Sequence, residues 1–164
     1  MFFGRRCNCC CFNHPCPIWC PCARRACTNE VVNPVITESF GFFNNTSVGT
    51  IGQEDNIPLN LVQIGGGGIN TNGSGSIILS AGTYQISYFA SGTIPASGLI
   101  SIKLRLNSQD VAGSIISATQ TTEDTTTLTQ TIVINVPQDG AILEVVNNST
   151  ATTFSLASVF IRRI

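Results

Sequence analysis

No cysteine follows Cys27 in this chain of 164 residues, although eight precede or occupy that point. A domain stapled by its own bridges spreads its cysteines along the sequence, because a bridge stabilises most by closing a loop of that domain. Internal stapling is therefore excluded for everything beyond residue 27. Charge is scarce too: Asp, Glu, Lys and Arg make up 10% of the chain against the usual quarter, and Ser, Thr, Asn and Gly dominate the polar positions. His14 is the only histidine, so outside the Cys-rich segment no Ser-His-Asp or Cys-His arrangement is available. No apolar run approaches the roughly 20 residues of a membrane span. The first residues carry arginines without the apolar stretch of a secretory signal. The expectation is a protein made in a cytosol and released when that cell lyses, since its cysteine content suits an oxidising destination. No segment carries a 3.6-residue apolar stripe beyond two turns, which excludes a helical domain.

What is present is a chain of two chemistries. Residues 1–27 hold Cys7, Cys9, Cys10, Cys11, Cys16, Cys20, Cys22 and Cys27 together with Arg5, Arg6, Arg24 and Arg25, with no lysine and no acid, giving +4. Residues 28–164 hold four bases and nine acids, giving −5. A basic arm can track nucleic acid, but arginines interleaved with cysteines and prolines make a poor phosphate-tracking surface, and no nucleic-acid partner is expected. Zinc sites favour paired Cys-x2–4-Cys knuckles; only Cys16-x3-Cys20, with His14 nearby, approaches that spacing. A redox site calls for Cys-x-x-Cys in a βαβ context, which is absent. Disulfide cross-linking within and between subunits is the favoured reading, with metal binding as the alternative. Arginines on both sides favour the thiolate that begins exchange, and adjacent cysteines in an extended chain point apart, better placed for other chains than for each other. Met1, Phe2 and Phe3, followed by Arg5 and Arg6, read either as a free segment or as an apolar peg with a charged collar that docks on a neighbour.

From Pro34 onward the apolar residues alternate with period two. Ile36–Phe42, Leu59–Ile64, Tyr84–Tyr88, Ile100–Leu106 and Leu128–Val136 are rich in β-branched and aromatic residues, with further strands at Ile77–Leu79, Val111–Ala118, Ala141–Asn147 and Thr153–Arg162. Turn residues at Gly65–Gly68, Asn72-Gly73, Ala81-Gly82, Ser97-Gly98, Asn107–Asp110 and Asp139-Gly140 punctuate them. The fold class is all-β, a sandwich or jelly roll. Domains are expected at 1–33, a Cys-rich connector, and 34–164, the β-domain. In Ile100–Leu106, Ile100, Ile102, Leu104 and Leu106 should face the core, and Ser101, Lys103 and Arg105 should face water. The last strand differs, because Phe154, Leu156, Ser158 and Phe160 alternate with Ala157, Val159 and Ile161, so both faces are largely apolar. Such a strand needs cover on both sides, which another subunit can supply.

The remaining signals read as structure. Glu54-Asp55 and Glu123-Asp124 suit solvated turns better than a catalytic carboxylate pair. Gly65–Gly68 lacks the Gly-Lys-Ser/Thr of a phosphate loop, and the sequons at Asn44, Asn45, Asn72, Asn147 and Asn148 follow from an Asn/Thr-rich composition. No catalytic residue and no cofactor is expected.

The stretch Ser76–Tyr88, the upstream Ile57-Pro-Leu-Asn, the Asn147-Asn-Ser segment and the ending Leu156–Arg163 resemble the C-terminal domain of the exosporium collagen-like glycoproteins of Bacillus, a jelly roll of the tumour necrosis factor and complement globular-head superfamily. Any Gly-X-Y repeat is missing here, and the Cys-rich segment stands in its place, similar to the connectors of pilus-like spore appendages. The resemblance implies a homotrimer formed through the Tyr-rich and C-terminal strands, with Tyr84, Tyr88, Phe154, Leu156 and Phe160 at the interface. It also implies a structural role at the spore surface: the chain's partners would be its own copies in a head-to-tail fibre, and other spore-surface proteins, with no membrane partner. The rival reading is a trimeric adhesin of the same fold that does not polymerise.

Overall fold

The computed structural model describes residues 38–72, 76–121 and 124–164. The eight cysteines, residues 1–6, Gly73 and Glu123 lie outside the described residues. Among the described residues there are twelve strands and no helix: β1 Phe40–Asn45, β2 Gly49–Ile51, β3 Asn60–Gly65, β4 Ile69–Thr71, β5 Ile77–Leu79, β6 Gly82–Thr93, β7 Gly98–Leu106, β8 Gln109–Asp110, β9 Ile116–Gln120, β10 Thr126–Val136, β11 Ala141–Asn147 and β12 Thr152–Arg163. Among the described residues no helix is long and apolar enough to cross a membrane.

The strands form two antiparallel sheets. Sheet A has the order β10-β6-β12-β1-β3, with β2 also on β12; sheet B has the order β4-β5-β11-β7-β8, with β9 also on β7. Apart from β4–β5 and β7–β8, most neighbours in each sheet come from distant parts of the sequence, so the sandwich is a jelly roll rather than a meander. Between the sheets, Phe43, Tyr84, Ile86, Tyr88, Phe154, Val159 and Ile161 of sheet A meet Ile77, Leu79, Ile100, Ile102, Leu104, Leu143 and Val145 of sheet B, all essentially inaccessible to solvent. Ile36–Ile164 pack as one compact unit.

Local chemistry explains several boundaries. Asn107 and Ser108 both take positive φ, 50° and 65°, the backbone of a type I′ turn whose twist matches that of the flanking strands β7 and β8. The segment 111–115, expected as strand, is instead a turn: Gly113 takes φ 75°, and Ser114 donates its N–H to the Val111 carbonyl at 3.1 Å. That turn is held by Tyr88, whose hydroxyl donates to the Ser114 carbonyl and lies 2.6 Å from Gln130 Oε1, while Gln130 Nε2 donates to the Gly113 carbonyl at 2.9 Å. Burial pushes the Tyr88 hydroxyl up to about 12, so it stays a donor at any ordinary pH. Asn147 is fully buried, and its amide donates to the carbonyls of Ile51, Gly52 and Thr150. That sequon is used up by the fold.

A Tyr88→Phe substitution should keep the core volume and leave the Ser114 carbonyl and Gln130 short of a donor. A buried acceptor stranded in this way costs about 1–3 kcal/mol, to be read as a lowered denaturation midpoint with unchanged circular dichroism.

Candidate assembly face

The two outward faces of the sandwich are chemically opposite. On sheet B, Lys103 and Arg105 of β7 point away from the core, but Lys103 is not in water: it is 4% exposed. The reason is that Glu54 and Asp110 close over it. Lys103 Nζ lies 2.8 Å from a Glu54 carboxylate oxygen and 2.8 Å from Asp110 Oδ2. Arg105 bridges the same two acids, through Nε at 3.2 Å to Asp110 Oδ1 and through its terminal nitrogen to Glu54. Glu54 is brought there by a backbone ladder, its N–H donating to the Asn147 carbonyl at 2.8 Å while Ile57 donates to the Val145 carbonyl. The reading of Ser101, Lys103 and Arg105 as a wet face is thereby corrected: the segment before β3 folds back along β11 and covers that face, while Glu54 keeps its place in an exposed turn with its carboxylate paired. Asp124 lies between β9 and β10, its exposed carboxylate accepting the Thr121 hydroxyl at 2.7 Å.

The lysine, through its hydrogen bonds, holds Glu54 and Asp110 below the ordinary carboxylate range, with Arg105 acting in the same direction. Hydrogen bonds from the two acids, Asp110 first, raise Lys103. Lowered carboxylate values contribute stability that is present above the unfolded values of about 4 and is lost as pH falls through the folded ones. The raised lysine value contributes below about 10.4 and is lost as pH rises through its folded value. Carbon-detected NMR of the two side-chain carboxyls should show both titrating below ordinary Glu and Asp values, and Lys103→Met should move both back toward them.

Sheet A presents the other kind of surface. Its strand registers assemble three rows of outward side chains: Phe42, Phe160, Ser87 and Thr131; Asn44, Ser158, Phe89 and Thr129; Phe40, Arg162, Gln85 and Val133. Ser87 Oγ and Thr131 Oγ1 lie 2.8 Å apart across one row. Phe160 is 44% exposed and Val133 59%, and the Phe40 ring lies over Gly65, where any Cβ would overlap it. Arg162 is the one charge in these rows, and Glu38 pairs with it at 2.9 Å. Aromatic rings, hydroxyls and almost no free charge thus share one side of one sheet.

Of the five residues expected at an interface, Phe160 and the half-buried Leu156 lie on this face. Tyr84, Tyr88 and Phe154 do not: they point into the sandwich and are at most 1% exposed. Phe154 was expected on the same side as Leu156 and Phe160. A β-bulge between Phe154 and Leu156 inserts one residue against β6, and one extra residue exchanges the two faces of a strand, so Phe154 joins Ala157, Val159 and Ile161 in the core. Tyr84 anchors through its hydroxyl, whose single hydrogen is shared between the carbonyls of Ser80 and Gly68 at 2.9 and 3.0 Å. Phe40, Phe42, Phe89 and Val133 escaped the sequence reading. Parity along β6 carries the signal for one of them, since Tyr84, Ile86 and Tyr88 in the core place Gln85, Ser87 and Phe89 outside.

Comparison with solved structures gives the same architecture. Murine APRIL at pH 5.0 superposes with a TM-score of 0.64 at 12% identity, covering 77% of this chain and 99% of that one. Eiger, a tumour necrosis factor of S. frugiperda, gives 0.60 at 10% identity, covering 78% and 93%. The globular domain of the zebrafish complement 1qA protein gives 0.54 at 11% identity, covering 77% and 96%. The fold is that of the tumour necrosis factor and complement globular heads. At such identities the likeness concerns the fold alone. No family model and no curated protein matches the chain.

Proposed function

We propose that this protein is a structural subunit of a spore-surface fibre, a homotrimer built through the outward face of sheet A and joined to its neighbours by the disulfide-forming segment 1–33. The observation that carries the reading is the uncharged aromatic face. Near the axis of a symmetric oligomer each side chain meets its own copies, so a free charge there faces like charge and is costly. A face made of Phe42, Phe89, Phe160 and hydroxyls meets that requirement; the ionic face of sheet B, with its paired but concentrated charges, does not. The jelly-roll fold and the resemblance to exosporium proteins support the trimer. The density of cysteines before the domain, with none inside it, supports linkage between subunits rather than stapling within them.

The reading assigns no catalysis to the domain. Polymerisation follows if the connector of one trimer engages a different surface of the next, since such a contact does not close on itself. Isolated trimers that never polymerise would instead mark the adhesin reading.

Sedimentation of the full chain under reducing conditions should give a trimer, and electron microscopy after oxidation should show fibres. Non-reducing gels should retain oligomers that collapse to the 17.4 kDa chain on reduction. Alkylation of all eight thiols in the untreated assembly would refute the cross-linking, and stoichiometric zinc would then favour the metal reading. Phe160→Asp should abolish the trimer while leaving the fold intact, because Phe160 lies outside the core. Covering its exposed part contributes about 2 kcal/mol per copy, and a carboxylate there would be buried without a partner. A trimeric Phe160→Asp variant would place the interface elsewhere.

A further inference from the structure

The sandwich has two ends, and they differ. At one, β12 finishes beside the start of β6, Arg163 opposite Tyr84, and the start of β1 lies alongside, Phe40 opposite Arg162. Residues 38 and 39, where the described chain begins, lie at this end, the Arg163 N–H donating to the Ser39 carbonyl at 2.9 Å. At the other end, where Thr153 faces Thr93, the loop from β6 to β7 and the turn before β12 enclose a recess of about 420 Å³ lined by Ile94, Pro95, Ala96, Leu99, Ser149 and Thr150, with no ionisable side chain. Leu99 is 56% exposed on its wall. Gln120 links the recess to a nearby acid: its Oε1 accepts the Ile94 N–H at 3.3 Å and its Nε2 donates to the backbone carbonyl of Asp124, whose exposed carboxylate accepts the Thr121 hydroxyl.

We infer that this recess is the socket for the Met1-Phe2-Phe3 segment of a neighbouring copy, with Arg5 and Arg6 meeting the nearby Asp124. The inference rests on the fibre reading and names the surface at which one trimer receives the next. Three features select this occupant. The recess is apolar with hydroxyls, of the size that takes one or two large apolar side chains, and Met1-Phe2-Phe3 is an uninterrupted apolar run outside the domain that contains no cysteine or proline. The Ile18-Trp19 pair is enclosed by Pro17, Cys20 and Pro21, and the cysteine there belongs to the cross-linking segment. The charge matches, since the peg carries two arginines within three residues and the exposed Asp124 lies nearby. The geometry matches as well: the described chain begins, at residue 38, at one end and the socket opens at the other, which suits a head-to-tail contact. Residues 1–37 reach about 120 Å at full extension, against about 40 Å for the twelve-residue β6 at the usual rise, so the span does not limit the contact.

The test uses the full chain. Leu99→Glu places a carboxylate on the socket wall at an exposed position, so trimers should form as in the wild type while fibres are lost. Asp124→Lys is a second variant that leaves the recess intact; its assembly should slow at least tenfold at low salt. A peptide of residues 1–6, added in excess during wild-type assembly, should shorten the fibres. A photoreactive phenylalanine at Phe2, in a mixture of heavy-labelled and light copies, should cross-link to 94–99 or 149–150 between differently labelled chains. If wild-type fibres form and Leu99→Glu fibres are of normal length, or if cross-links join only identically labelled chains, the socket is wrong and the fibre reading stands. If the wild type forms no fibres in any oxidising condition, the fibre reading itself fails.

Discussion

Sheet A carries aromatic rings on both sides, and a single chain fully covers only one. Its inner side is filled by Phe43, Tyr84, Tyr88, Phe154 and Ile161 against sheet B, while its outer side carries Phe40, Phe42, Phe89 and Phe160 among hydroxyls. Leaving such rings in water forgoes about 25 cal/mol for every Å² of apolar surface. The pull toward association is therefore written into the alternation of β1, β6 and β12, where every second residue belongs to the core and the residues between belong to the face.

Sheet B makes the complementary arrangement possible. On its outer side Glu54 and Asp110 close over Lys103 and Arg105, while Leu99 and Ile142 stay exposed on the same sheet. Half-exposed pairs of this kind contribute little net stability, but they satisfy the charges of this face within the chain. The proposed association runs through sheet A. The ends of the sandwich, one holding residues 38 and 39 and the other the recess at 94–99, lie apart from both faces.

Much of this was legible in the sequence. The period-two runs gave most of the strands, and Ile77–Leu79 and Ala141–Asn147 appear with the boundaries the pattern predicts. The short strands β2, β4 and β8 carry too few residues for alternation to be seen. The segment 111–115 reads as strand by composition and is turned by Gly113. At the face, parity assigned Phe160 correctly but misplaced Phe154, because a bulge leaves no mark in hydrophobic alternation. The tyrosines were drawn to the interface by resemblance, whereas the neighbours of their hydroxyls, Ser114, Gln130, Gly68 and Ser80, are contacts between residues 4 to 42 positions apart. The burial of Lys103 depends on Glu54, 49 positions away, and no local pattern announces it.

The central claim is that the aromatic face of sheet A is buried between copies of this chain. Oxidative footprinting of the full chain, read peptide by peptide across a dilution series under reducing conditions, tests it most directly. The account predicts that Phe42, Phe89 and Phe160 are protected at high concentration and become modified together as the protein is diluted and the trimer dissociates, while Phe43 and Phe154 stay protected throughout. Modification of Phe160 that is equally rapid at every concentration, in a sample shown by scattering to be oligomeric, would contradict it.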